Sequence, residues 1–171
     1  MKLKTILPLL MVAVSLSCKK KSEPTPGDTV SSWDGRYRVE GSLTDATEPV
    51  ITWPGNTYEY SLETKTATQL TLVSKNLGIP GHLISHGGSL SYYSKFGLVV
   101  NIDPATNKIT SVTNHYGQPS DNGRSAELDP SGANSRDPLT KNISIKYWMN
   151  QTGVAGHKTS FNETWIYLGP R

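Results

Sequence analysis

The one cysteine of the chain, Cys18, is the residue whose position carries the clearest chemistry. It follows Val14-Ser15-Leu16-Ser17, at the end of an apolar run that starts at Ile6 and is broken by Pro8 and Ser15, with Lys2 and Lys4 ahead of it. An apolar stretch of about ten residues behind a basic start suits a signal peptide, whereas a helix needs about twenty to cross a bilayer. A small residue directly before a cysteine at this point is the pattern of a lipobox, in which the thiol is acylated and the cysteine becomes the new N-terminus. A lone cysteine in an exported chain has no intrachain disulfide partner, and acylation accounts for its presence. Residues 1–17 are therefore expected to be a cleaved signal peptide. Cys18 is expected to hold the protein to a membrane, firmly, because two or more acyl chains make a stable anchor.

Other reactive side chains form no comparable constellation. His82 and His86 have the i, i+4 spacing of a helical zinc pair, but Leu83 stands where such a motif needs Glu. Pro80-Gly81 and Gly87-Gly88 flank the pair and favour a strand. On a strand the two would lie about 13 Å apart, at about 3.3 Å per residue, too far to share a metal. Asp45, Glu48, Asp103 and Glu163 are carboxylates without the paired placement that glycoside hydrolysis requires. No Gly-x-Ser-x-Gly elbow is present. The oxygen-rich stretch from Asp121 to Asp137 lacks the spacing of a calcium loop. The reading is a protein without enzymatic activity, catalytic residues, bound metal or cofactor. Aromatic residues are the better candidates for a site, because flat rings stack on the apolar faces of sugars while their polar tips reach water. Trp53 in a Trp-Pro-Gly-Asn turn, Tyr92 of the Tyr92-Tyr93 pair, Tyr116 before Gly117, and Trp148 opposite the Ile143, Ile145, Tyr147 face are the expected ligand-binding residues. Trp33 and Trp165 read as core.

The elements that must carry these residues follow from composition and alternation. Residues 18–32 are rich in Lys, Pro, Gly, Ser and Thr and contain nothing that forms a core, so they read as a flexible tether. Five of the 17 basic residues (Lys2, Lys4, Lys19, Lys20, Lys21) and two of the 14 acidic ones (Glu23, Asp28) precede residue 33, which leaves residues 33–171 with 12 of each. A balanced domain has no electrostatic case for nucleic acid. Within it, apolar and polar residues alternate with the period of strands. Tyr37-Val39-Gly41-Leu43, Tyr58-Tyr60-Leu62 and Leu70-Leu72 mark three. His82–Ser85 and Ser89–Ser94 mark two more. A hairpin is expected from Gly97 to His115 around Asp103-Pro104-Ala105-Thr106-Asn107, and a closing hairpin from about 142 to 167. Eight or nine short strands imply one all-β domain, either an antiparallel sandwich or an up-and-down barrel. Gln118 to Thr140 is the longest stretch without a strand pattern and reads as an irregular loop.

Four segments bear a family resemblance. Trp33-Asp34-Gly35-Arg36-Tyr37-Arg38-Val39-Glu40-Gly41 resembles the opening of lipocalin-like, or calycin-like, β-domains. Phe96 to Ile109, Asn114-His115-Tyr116-Gly117-Gln118-Pro119 and the ending Phe161 to Arg171 resemble β-domains of Bacteroidota lipoproteins of unknown function, which accompany polysaccharide-utilisation systems. The resemblance implies an outer-membrane lipoprotein and brings no catalytic residues with it. Surface-exported lipoproteins of that phylum often carry acidic residues after the cysteine. Lys19-Lys20-Lys21 stand here instead, which leaves both the cell surface and the periplasmic face open. The expected function is non-catalytic binding of a glycan or another ligand at the envelope. The alternatives are a structural or assembly subunit that packs on a partner protein of an outer-membrane complex, and a lipocalin-like carrier of a small apolar ligand.

Overall fold

Alternating residues make strands, and the strands here roll into a closed barrel. The structure is a computed structural model that describes residues 30–47, 51–53, 58–86, 89–93 and 95–171. The expected signal peptide, Cys18 and most of the tether lie outside the described residues. After a 3-10 turn at Val30–Trp33 come β1 (Gly35–Asp45), β2 (Ile51–Trp53), β3 (Glu59–Thr66), β4 (Gln69–Ser74), β5 (His82–His86) and β6 (Ser89–Tyr93). These are followed by β7 (Leu98–Asp103), β8 (Lys108–Asn114), β9 (Arg124–Leu128), β10 (Ser135–Arg136), β11 (Ile143–Gln151) and β12 (Thr159–Gly169).

The wall runs β1, β3, β4, β7, β8, then β9 and β10 together, β11, β12 and back to β1, every pair antiparallel. Neighbours around the wall follow chain order, so this is an up-and-down barrel of eight strand positions, one of the two architectures expected. β9 and β10 share one position. Leu128 pairs with Tyr147 and Ser135 with Ser144, so both run the same way beside β11 and are separated by a break at 129–134. This corrects the expectation of an irregular segment from 118 to 140: part of it is a barrel strand in two pieces. β2, on the outer half of β1, was also not expected.

Side-chain amides stand in for the ladder where that strand is broken. Lys146 N–H donates to Asn134 Oδ1 (2.9 Å), and Asn134 Nδ2 donates to the Asp129 carbonyl (2.7 Å). Between β8 and β9, Gln118 Oε1 accepts from the backbone N–H of both Asn114 (2.9 Å) and Ala126 (3.1 Å). Asn114 Nδ2 donates to the Arg124 carbonyl (3.0 Å). Buried backbone groups are nearly always paired, and these three amides pair the ones the break would orphan.

The two poles of the barrel differ. Trp33, fully buried, closes the pole where the chain enters. Tyr37 Oη donates to its carbonyl (2.8 Å), and the Arg136 guanidinium lies 5.5 Å from its ring centre. Arg136 also donates to the carbonyl of Ser32 (3.0 Å), which composition had assigned to the tether. At the other pole, the mouth, the connection from β4 to β7 carries the hairpin β5–β6. Its strands form a separate two-stranded sheet, and His82, Leu83 and Ile84 are buried. Between the poles the interior is filled by Tyr37, Tyr60, Tyr147, Phe161 and Trp165 with Val39, Leu43, Leu62, Leu72, Leu98, Val100 and Ile145. Each such side chain stabilises the fold by about 1.5–3 kcal/mol through area removed from water.

Candidate functional site

An up-and-down barrel sends its connections alternately to its two poles, and four of them converge at the mouth. They are the links from β1 to β3, β4 to β7, β8 to β9 and β11 to β12. The four aromatic residues expected to bind ligand lie on or beside these links. Trp53 is on β2, paired in register with Gly41. Tyr92 is on β6, paired with Leu83. The side chains of both lie outside the described residues. Tyr116 follows β8, and Trp148 lies near the mouth end of β11, between Glu127 of β9 and Ser160 of β12.

Tyr116 is 36% exposed, and its hydroxyl donates to the Pro80 carbonyl (2.5 Å). That bond fixes the ring at the edge of a cleft of about 310 Å³ lined by Ile79, Lys95, Ser120 and Asp121. An apolar face, an ammonium and a carboxylate thus flank one open aromatic ring, and the Ser120 hydroxyl is held beneath by Asn122 and Arg124. Ile79 and the nearby Leu77 are themselves exposed. Trp148 is half-buried because His157 stacks on it, ring centres 3.9 Å apart and planes 6° from parallel. His157 Nδ1 lies 2.7 Å from Asn150 Oδ1, and Asn150 Nδ2 donates to Glu127 (3.0 Å). Trp148 and Tyr116 therefore share a pole but make no common surface through the contacts described.

A second constellation lies inside, and sequence reasoning did not assemble it. Glu163 points inward from β12 between Phe161 and Trp165 and is 2% exposed. Its Oε2 accepts from the Trp165 indole N–H (2.7 Å), and its Oε1 from the Tyr147 hydroxyl (2.9 Å). His82 Nε2 lies 2.7 Å from that hydroxyl and 3.2 Å from Glu163 Oε1. His82 Nδ1 lies 2.9 Å from the Leu83 carbonyl, which only accepts, so Nδ1 carries a proton. With a single proton among Nε2, the phenol and Oε1, two of those contacts would set lone pair against lone pair. A second proton satisfies them all, as an imidazolium beside a carboxylate. Burial alone lowers the His82 pKa, but the Glu163 charge, its hydrogen bond and the Leu83 carbonyl outweigh it. The net shift is upward from the usual 6.5. Burial raises the Tyr147 hydroxyl well above its usual range, so it stays protonated. Opposite Glu163 in the ladder stands Gly41, where a Cβ would come within 2.4 Å of the Asn162 carbonyl. The close approach of β1 to β12 beside the carboxylate thus depends on glycine.

The sequence did hold a signal for this cluster. Glu163 sits on the apolar register of its strand, and a carboxylate in a core register demands a partner. Nothing in the sequence pairs it with His82, which arrives from the hairpin. The arrangement defines a class, an eight-stranded up-and-down β-barrel whose mouth is plugged by its own hairpin through a buried ion pair. No protein-family model matches this chain, and no curated protein or solved structure shows significant similarity to it.

Proposed function

We propose that this domain is a lipid-anchored, non-catalytic binding module of the bacterial outer membrane, and that its ligand is a glycan. The observation that carries the reading is the cleft at Tyr116, where an open ring is flanked by Lys95 and Asp121. A sugar presents apolar C–H faces to such a ring and hydroxyls to such neighbours. The gathering of Trp53, Tyr92, Tyr116 and Trp148 positions at one pole supports a binding end, and barrel mouths are common ligand sites. The acid–base constellation around Glu163 is sealed from solvent, which keeps its groups from an outside substrate.

A glycan array followed by calorimetry tests this. A binder found on the array loses roughly fivefold in affinity with Tyr116→Ala, the worth of about 1 kcal/mol for an aromatic contact. Absence of any binder, or equal binding by the variant, overturns the reading. An assembly role is the second reading. It draws on Leu77 and Ile79, exposed by 40% and 43% beside Tyr116, and capture of an envelope protein that Ile79→Asp abolishes would favour it. The carrier alternative would place a small apolar ligand inside the barrel.

A further inference from the structure

We propose that the lumen beneath the hairpin is a binding site for a small planar organic cation, imidazolium-like in size, and that the His82 side chain occupies it as a tethered ligand. The walls have the composition of an aromatic cage. Tyr60 stacks on the His82 ring at 5.4 Å and 17°. Phe161 (5.1 Å, 74°), Tyr147 (5.7 Å, 79°) and Phe96 (6.4 Å, 71°) meet it edge to face. Tyr60 presents its electron-rich face to the flat group, Tyr147 points its hydroxyl edge at it, and together with Phe161 and Phe96 they hold it by shape. Glu163 supplies the counter-charge at 3.2 Å and the Tyr147 hydroxyl a hydrogen bond at 2.7 Å.

The occupant and the cage belong to separable parts of the molecule. Glu163, Tyr147, Phe161 and Tyr60 are on wall strands β12, β11 and β3. His82 is on β5, whose strand partner among the described residues is β6. Among the described residues the hairpin is therefore seated by side chains and not by a ladder to the wall. A buried carboxylate left without a cation is strongly unfavourable, so withdrawal of His82 leaves a cage with a standing demand for one. A diffusible cation of the same shape meets that demand. This site is distinct from the rim at Tyr116 and does not depend on the glycan reading.

Replacing His82 by glycine empties the cage and lets a free molecule compete for it. The expected result is that imidazole raises the Tm of His82→Gly in a saturable manner by several degrees, while benzene, flat but uncharged, does not. Adding Glu163→Gln to that variant weakens imidazole by roughly tenfold to a hundredfold, the worth of one hydrogen bond to a charged group. No stabilisation, equal stabilisation by benzene, or no effect of Glu163→Gln overturns the proposal. If His82→Gly folds in neither condition, amide hydrogen exchange of the wild-type protein decides. Imidazole should then speed exchange in β5 and β6 and leave β11 and β12 unchanged, and unchanged exchange in all four strands overturns it.

Discussion

Glu163 shows how one inward carboxylate sets the chemistry around it. Its two oxygens are held by Trp165 and Tyr147, and His82 supplies the positive charge. The unfolded chain at neutral pH has its glutamate ionised and this histidine largely neutral, so folding takes up a proton. Because the folded His82 pKa lies above 6.5, the cluster's contribution is fully present below about that pH and is lost as pH rises through the folded value. The denaturation midpoint is therefore expected to fall as the solution is taken alkaline from pH 6.5. Glu163→Gln removes the charge that raises His82 and leaves burial, which lowers it. The slope then reverses, with stability rising as pH passes upward through the ordinary histidine range. The same substitution costs roughly 3 kcal/mol at pH 6, as expected when a buried ion pair loses one partner. Urea titrations of both proteins at several pH values check this, and parallel pH profiles would show that His82 and Glu163 are not coupled.

At the scale of elements, the closing seam of the barrel depends on amides more than on strand propensity. Asn134 lies at φ +46°, a conformation asparagine tolerates and most residues do not. Its side chain also gives Lys146 N–H an acceptor. The two roles separate by substitution. Asn134→Gly keeps the backbone but loses the hydrogen bonds, at about 2 kcal/mol. Asn134→Ala adds about 1 kcal/mol of backbone strain. Chemical denaturation should rank wild type above Gly above Ala, and an Ala variant as stable as Gly would remove the backbone role. This seam is also where sequence reading stopped. Regular alternation in Tyr37-Val39-Leu43, Leu98-Val100-Ile102 and Ile143-Ile145-Tyr147 made β1, β7 and β11 legible, since their inward residues recur at every second position. β9 and β10 bury few residues, Ala126 and Arg136 among them, and their pairing is completed by Asn114, Gln118 and Asn134, which in a sequence look like loop residues. The rim aromatics could be named from the sequence, but their common pole follows only from strand order. The His82–Glu163 contact joins residues from β5 and β12, and no local pattern encodes it.

The whole molecule has a polarity that its proposed anchoring makes useful. The described chain begins at the closed pole, where Ser32 and Trp33 meet Arg136. Three residues beyond Arg136, in the turn from β10 to β11, Leu139 stands 91% exposed, with Lys141 close by. A lipid on Cys18 would hold this pole toward the membrane and turn the mouth, with Tyr116 and the 152–158 connection, outward. The domain is charge-balanced, so no strong field of its own opposes that attitude. Acylation would occupy the thiol of Cys18, so a cysteine introduced elsewhere becomes the free thiol for a fluorophore. In vesicles containing a headgroup-labelled quencher, a probe at Leu139→Cys should be quenched more strongly than one at Val154→Cys in the β11–β12 connection. Equal quenching would mean that the barrel tumbles on its tether or lies on its side. Cys18→Ala, with either probe, should leave the protein in the aqueous fraction with both signals unquenched. If that variant still partitions to vesicles, something other than Cys18 holds the protein to membranes, and the poles must then be reassigned from the surface that does.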